Sequence, residues 1–486
     1  MKPVKIIFAV QKKEMGRSKQ KPLLERLEIV DIAAEGKAIA KHEGLVVFVS
    51  QCVPGDIVDV QIIRKRKRFM EGYPVKFHAY SSNRAVPFCR HFGICGGCKW
   101  QHLPYIDQQK FKQRQVGDML QRIGKVPAEV VLPILASEKE TAYRNKLEFT
   151  FSNNRWLTMA EINSADQHIE RRGLGFHIPG KFDKVLDIEE CFLQPEPSNE
   201  IRNFVRDYAL ANNLSFFDLI RQEGLLRNLI IRNNLDGEVM AIFSFFRNDQ
   251  EIIEKLLLAV GQKFPQIVSL MFVINPKAND TLNDIDIQLF SGKDHLIEKM
   301  EDLSFRISPK SFFQTNTTQA YRLYSVAREF ADLTGSETVY DLYTGTGTIA
   351  LFLARQCNKV IGLEYVQQAI DDANINAQLN EISNATFFSG DIKDLLNETF
   401  IAQNGKPDII ITDPPRNGMH ADVIKSIIAA APGRIVYVSC NPATQARDIE
   451  LLSPFYRMVK SQPVDMFPFT HHVENVALLE LINHGS

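Results

Sequence analysis

Thr338-Val339-Tyr340-Asp341-Leu342-Tyr343-Thr344-Gly345-Thr346-Gly347-Thr348-Ile349-Ala350 is the stretch whose reading decides the fold. Residues 338–342 read as a buried strand, with Val339, Tyr340 and Leu342 set around a single acid. The threonine–glycine run that follows is turn chemistry, and residues 349–356 continue as an apolar helix. Residues 359–364 then form a second strand that ends in Glu364. Further strand patterns at 408–412, 434–439 and 475–482 alternate with helical ones, which implies a doubly wound, mostly parallel α/β sheet.

In such a sheet ligands bind at the carboxyl ends of the strands. Gly345 and Gly347 let the chain turn tightly and let a ligand lie on bare backbone. Glu364 is placed to accept hydrogen bonds from ribose hydroxyls. These features suit NAD and S-adenosylmethionine equally, and Ala350 even completes a G-x-G-x-x-A pattern. Two later segments decide between them. Asp413-Pro414-Pro415-Arg416 and Ser439-Cys440-Asn441-Pro442 each follow a strand, on the edge where the ligand binds. Hydride transfer needs neither, whereas methylation of a base can use both. Amino-group methylation calls for an aromatic residue after the two prolines, and here that position holds Arg416.

C5 of uracil is a poor nucleophile until a thiolate adds to C6, after which C5 can take a methyl group and a base must remove its proton. Cys440 is the candidate nucleophile, and Glu474 in His471-His472-Val473-Glu474-Asn475 is the candidate base. A lone cysteine is more often a small core residue, and Cys357 at the end of its apolar helix is read that way. Cys440 differs because it sits at a strand end ahead of Asn441-Pro442, where a turn exposes the sulfur. Cytosine-C5 methylation in RNA would call for a second cysteine where Asp413 stands.

The chain has 486 residues, three times a one-domain length, with 45% hydrophobic and 24% charged residues. Its net charge of -1 hides an asymmetry. Residues 1–126 carry 24 Lys and Arg against 11 Asp and Glu, and the rest of the chain is correspondingly acidic. A basic end of this kind is a hint of nucleic acid. No span approaches the roughly 18 apolar residues of a membrane helix. Residues 1–10 lack the small-residue cleavage site of a secretory leader. A cytoplasmic protein without membrane contact is expected.

Residues 25–80 alternate as strands around Pro54-Gly55-Asp56, the pattern of a small β barrel. Next to one of these strands stands Arg64-Lys65-Arg66-Lys67-Arg68, a solvated loop in isolation but a phosphate contact on a basic barrel. Three of the seven cysteines form Cys89-x5-Cys95-Gly-Gly-Cys98. Converging thiolates suit structural zinc or an iron–sulfur cluster, and the residues alone lean towards zinc. Between residues 127 and 310 the pattern is mixed α and β, and only Cys191 suggests chemistry.

These motifs, in this order, resemble the bacterial RNA uracil-C5 methyltransferases of the 23S rRNA type. Glu35-Gly36-Lys37-Ala38, Val47-Phe48-Val49 and Pro54-Gly55-Asp56 resemble a TRAM domain. Cys89-x5-Cys95-Gly-Gly-Cys98-Lys-Trp-Gln101 is similar to the family's cluster signature. Ser311-Phe312-Phe313-Gln314-Thr315-Asn316, the glycine turn, the Asp413 and Cys440 motifs and His472-Val473-Glu474 follow the catalytic domain's motifs. Thr344 and Thr348 depart from the family's frequent cysteine and asparagine.

The resemblance implies S-adenosylmethionine held by Gln314, Tyr343, Gly345, Glu364, Asp391 and Asp413, with Cys440 as nucleophile and Glu474 as proton acceptor. It implies a [4Fe-4S] cluster on Cys89, Cys95, Cys98 and Cys191. The expected layout is a basic extension at 1–24, a TRAM-like barrel at 25–85, a central cluster-bearing domain at 86–310 and a class I methyltransferase domain at 311–486. The expected partner is 23S rRNA, with a monomeric enzyme and no obligate protein partner. The alternatives are tRNA, whose branch of the family generally lacks the barrel and the cysteines, and a non-catalytic RNA-binding ribosome assembly factor.

Overall fold

The computed structural model describes residues 21–164 and 169–482. Most of the expected basic extension, including residues 1–10, lies outside the described residues. The chain then forms β1 (Leu23–Ile32), β2 (Ala38–His42), β3 (Leu45–Val49), β4 (Ile57–Lys65) and β5 (Phe69–Ala79), which close into a barrel in the order β1-β2-β3-β5-β4. Val47, Val49, Val58, Val60 and Ile62 fill its interior, as period-two alternation requires. The basic run is the tip of the β4–β5 hairpin. Lys65 still pairs with Met70, so the strand reaches further into the run than the charge pattern implied. Arg64 lies 3.5 Å from Glu71, and Arg66, Lys67 and Arg68 stand in solvent.

After the cysteine loop, helix Tyr105–Arg122 packs Val116 and Leu120 into the core of the C-terminal sheet, beside helix Pro442–Leu452. Parallel bridges from Val131 to Ser461 and from Leu135 to Val464 lengthen this contact. Only then does the chain build its central sheet from β6 (Lys146–Ser152), β7 (Gly173–Ile178), β8 (Lys181–Asp187), β9 (Leu226–Asn233), β10 (Val239–Phe245), β11 (Ile267–Ile274) and β12 (Gln288–Gly292). The order is β12-β11-β10-β9-β6-β7-β8, and helices Ser198–Ala211 and Gln250–Lys263 cover one face. The hairpin β13 (Leu296–Met300) and β14 (Leu303–Ile307) sends Met300, Leu303, Phe305 and Ile307 into the core of the C-terminal unit.

That unit is a seven-stranded sheet of β15 (Thr338–Leu342), β16 (Lys359–Glu364), β17 (Ala385–Ser389), β18 (Ile409–Thr412), β19 (Arg434–Ser439), β20 (Tyr456–Val464) and β21 (Glu474–Leu481). Its order is β17-β16-β15-β18-β19-β21-β20, parallel from β17 to β19 and closed by antiparallel β21 and β20. This is the doubly wound, mostly parallel α/β sheet expected from the alternating strand and helix patterns. Two strands, β17 and β20, were not evident in the sequence. β20 is an edge strand, so it tolerates Arg457, Lys460 and Pro463, which blur the apolar signal of a buried strand.

Candidate active site

The strand order lays the candidate residues along one edge of the sheet. Glu364 ends β16, Tyr343 and Gly345 follow β15, Asp413 follows β18, Cys440 follows β19 and Glu474 opens β21, and these five strands are consecutive neighbours. Because β19 and β21 are antiparallel and Ser439 pairs with Asn475, one further step puts Cys440 opposite Glu474. Cross-strand neighbours of this kind stand about 5 Å apart.

The glycine turn is braced from within. Asp341 accepts hydrogen bonds from Thr344 Oγ1 at 2.6 Å and from the Ala350 amide at 3.1 Å. Gly347 has φ +77°, and a Cβ there would stand 3.0 Å from Ala373 and Phe387, so both conformation and space demand glycine. Across the turn, Glu364 accepts from the Gly345 amide at 3.2 Å and the Val366 amide at 3.0 Å. Asp391 caps a short helix, accepting from the Lys393 amide and from Lys393 Nζ at 2.6 Å, and that exposed pairing lowers its pKa. Gln314 lines the cavity described below, fixed by its neighbours. Asn145 donates to the Gln314 carbonyl at 2.9 Å, and Asn316 caps helix Thr317–Ala331.

Asp413, Pro414, Pro415, Arg416, Cys440 and Glu474 line one cavity of about 920 Å³, which Gln314, Phe312 and His472 also border. The turn that presents Cys440 is rigid. Ser439 Oγ accepts from the Asn441 amide, the Asn441 side chain caps helix Pro442–Leu452, and Asn441 Nδ2 donates to the Arg416 carbonyl at 3.0 Å. The two motifs after β18 and β19 are thus tied to each other. A buried relay absent from the sequence reading locks the opposite side: Gln445 donates to the Tyr437 and Asn475 carbonyls, and Asn475 bonds Gln445 and Ser461. Polar residues within an otherwise apolar strand–helix pair were the available signal.

Burial shifts the titratable groups of the cavity. Burial, reinforced by Asp413, pushes Glu474 up to about 8, with Arg416 opposing. Burial and then Asp341 push Asp413 up to about 7. Cys440 is pushed up to about 11, first by burial and then by Glu474 and Asp413, and again Arg416 opposes. At neutral pH the resting site therefore holds a thiol, a mostly protonated Glu474 and an Asp413 that is about half ionised. Burial and the Arg416 cation lower His472 to about 4, which keeps it neutral.

The same cavity is bordered by Cys89, Cys95, Cys98 and Cys191. Burial raises all four thiols, Cys95 to about 11 and Cys98 to about 12, and Cys89 and Cys191 add to the rise at both. Gly96 has φ +77° and passes so close to Pro179 that a Cβ would clash at 2.2 Å. Beside Cys191 lies Arg202, fully buried, its Nε without a partner among the described residues. Sequence reasoning missed this cation.

A family model described as tRNA (Uracil-5-)-methyltransferase matches residues 285–482. A relative from Bacteroides thetaiotaomicron, named an uncharacterized RNA methyltransferase, is 58% identical over 93% of this chain and 100% of its own. Another RNA methyltransferase, from Chlorobaculum tepidum, is 41% identical over 93% of this chain and 95% of its own. Among solved structures, the Pyrococcus abyssi tRNA (uracil-54, C5)-methyltransferase in complex with S-adenosyl-L-homocysteine is similar at a TM-score of 0.73 and 28% identity, covering 93% of this chain and 100% of that one. Barrel, sheet order, glycine turn and these likenesses agree: the chain belongs to the family of S-adenosylmethionine-dependent RNA uracil-5-methyltransferases.

Proposed function

We propose that the protein methylates C5 of a uracil in 23S ribosomal RNA, with Cys440 as nucleophile and Glu474 as proton acceptor. The observation that carries this reading is the β19–β21 register, which sets these two side chains opposite each other in one cavity beside the glycine turn. Cys440 Sγ, once deprotonated, adds to C6, and C5 becomes nucleophilic and takes the methyl group. Glu474, reacting as the carboxylate after losing its resting proton to solvent, then accepts the C5 proton, the C5–C6 double bond re-forms, and the electron pair of the breaking C6–S bond returns to sulfur. S-adenosylmethionine supplies the methyl group from a sulfonium. Gln314, Tyr343, Gly345, Glu364, Asp391 and Asp413 would hold the donor, and Asp413 would also orient the uracil.

The four cysteines and Arg202 suit an anionic metal group. Thiolates of this kind suit structural zinc as well as an iron–sulfur cluster, and it is the family resemblance of the cysteine motif that favours the cluster. On that ground we assign Cys89, Cys95, Cys98 and Cys191, which border one cavity, to a [4Fe-4S] cluster as a structural group. The buried Arg202 would balance its negative charge.

The TRAM-like barrel presents Arg66, Lys67 and Arg68 for the RNA backbone. A uracil must leave its stack to reach Cys440, at a cost of a few kcal/mol. Phe312, 71% exposed at the cavity, can stack on the displaced base. The enzyme is read as cytoplasmic and monomeric without an obligate partner; no helix among the described residues is long and apolar enough to cross a membrane.

Transfer RNA is the second reading, and one observation favours it. The archaeal structure named for uracil-54 of tRNA covers 93% of this chain, too much to leave the whole 23–79 barrel unmatched. The barrel therefore does not separate the two substrates. RNA bearing 5-fluorouracil tests the mechanism, because fluorine at C5 blocks the final proton removal. A stable adduct at Cys440 is expected; absence of the adduct, with methylation surviving Cys440→Ala, refutes the reading and favours a binding factor. Base-resolution mapping of 5-methyluridine in 23S rRNA and tRNA from a deletion strain assigns the substrate.

A further inference from the structure

The backbone entering Glu474 is a loop, residues 465–473, that crosses from edge strand β20 to β21. A free loop would leave the base of the reaction loosely placed. This one is gripped from Asp465 to Phe469 by parts of the chain 150 or more positions earlier. Lys112, fully buried, donates to Asp465 Oδ1 at 2.6 Å and to the Phe467 carbonyl at 3.0 Å. Gln108, also fully buried, accepts from the Phe469 amide at 2.8 Å while donating to the Trp100 and Leu103 carbonyls. The Lys99 and Trp100 amides both donate to the Phe469 carbonyl, at 2.8 and 3.0 Å. Tyr143 holds the Pro468 carbonyl at 3.0 Å, and Asn316 holds that of Met466 at 2.8 Å.

The grip continues into the barrel. Trp100 Nε1 donates to the Gly36 carbonyl at 3.1 Å, and a Cβ on Gly36 would stand 3.0 Å from His471 Cβ. Phe469 has φ +63°, a strained conformation for a bulky residue, and strain of this kind persists only where surrounding contacts impose it. Three residues on, His472 enters the cavity, and Glu474 follows. None of these contacts touches the nucleophile. Cys440 is held by its own Ser439–Asn441 turn.

We propose that residues 465–473 form a strap that Lys112 and Gln108, as positioning residues, pull into place so that Glu474 meets the C5 proton, leaving attack by Cys440 independent of it. The inference rests on the assignment of Glu474 as proton acceptor. In the step concerned, the C5–H bond breaks, its proton goes to a Glu474 oxygen, its electrons form the C5–C6 double bond, and the C6–S pair returns to Cys440. If the strap slackens, addition and methylation proceed while elimination stalls, and the methylated RNA stays bound to the protein through Cys440.

The test uses the full-length protein, unmodified uracil RNA and methyl donor, with denaturing gels to detect covalent complex. Gln108→Leu is one variant. Lys112→Met alone would strand a buried Asp465 carboxylate, so the paired variant Lys112→Met with Asp465→Leu is the second, because replacing both partners of a buried ion pair by apolar residues is often tolerated. Glu474→Gln is the reference for blocked elimination. Both strap variants should accumulate methylated covalent complex and turn over at least about tenfold more slowly, since a misplacement of about 1 Å can cost a hundredfold. Adduct formation with 5-fluorouracil RNA should stay within about twofold of the parent protein. Accumulation with Glu474→Gln but not with the strap variants overturns the strap. Equal slowing of fluorouracil adduct formation does so as well, since the loop would then be supporting the fold in general. No accumulation with Glu474→Gln overturns the assignment of the base, and the strap with it.

Discussion

Cys440 should be a slow thiol at rest, and the structure sets how slow. Its thiol is pushed from 9.0 to about 11 by burial, Glu474 and Asp413. A rise of about two units lowers the thiolate fraction near pH 8 about a hundredfold. The more basic thiolate is also more nucleophilic, and with a Brønsted coefficient of about 0.45 it recovers roughly eightfold. Mixed-disulfide formation with a small aromatic disulfide should therefore run about tenfold slower at Cys440 than at an unperturbed thiol. The logarithm of the rate should climb with unit slope from pH 7 to pH 10. Glu474→Gln removes one of the named causes and should speed the reaction several-fold at pH 9, where that acid is ionised in the parent protein. Peptide-resolved mass spectrometry separates Cys440 from the other cysteines. A rate that levels off near pH 9, or one that Glu474→Gln leaves unchanged, would refute the account of an acid-ringed thiol.

Stability should vary with pH in a definite sense. The folded Glu474 carboxyl titrates at about 8 and the unfolded one near 4.5, so the folded state binds the extra proton between these values and loses stability as pH rises through them. Glu474→Gln removes that loss. Its melting temperature relative to the parent should climb between pH 5 and pH 8, and a constant difference contradicts the shift. Substituting Arg66, Lys67 and Arg68 together by alanine should weaken RNA binding and reduce the salt slope by up to about 0.9 for each phosphate no longer neutralised; an unchanged slope takes the barrel tip off the RNA path. Gly347→Ala should destabilise by about 1–3 kcal/mol through crowding against Ala373 and Phe387, and should weaken S-adenosylhomocysteine binding in calorimetry. Protein purified without air should be brown, with visible charge-transfer absorbance, whereas a colourless protein with stoichiometric zinc refutes the iron–sulfur assignment.

What the sequence disclosed was local chemistry. The glycine turn, Asp413-Pro414-Pro415-Arg416 and Ser439-Cys440-Asn441-Pro442 are legible because each combines a strand end with residues that only a turn or cap requires. The opposition of Cys440 and Glu474 was not legible as geometry, since it depends on β21 inserting antiparallel between β19 and β20. No spacing rule foretells that insertion. Arg202, Gln445 and Lys112 were invisible for a related reason: each sits in a helix where a polar residue ordinarily faces water, and only tertiary packing buries it. The charge asymmetry was legible in amount, but its placement on the β4–β5 hairpin tip followed from strand pairing.

The ion pair of Lys112 with Asp465 spans 353 positions. At a synthesis rate of about 5–20 residues per second, Lys112 leaves the ribosome roughly 18–70 s before its partner exists. The barrel's strands, all within residues 23–79, can close early in that interval. Helix Tyr105–Arg122 cannot settle in that interval, because helix Pro442–Leu452 and strand β20, against which it packs, are made long after it. A nascent chain thus carries a finished barrel ahead of an amphipathic helix still waiting for its bed. Chaperone demand should fall on that helix, and Glu474 is set in place only when residues 465–474 arrive to meet it.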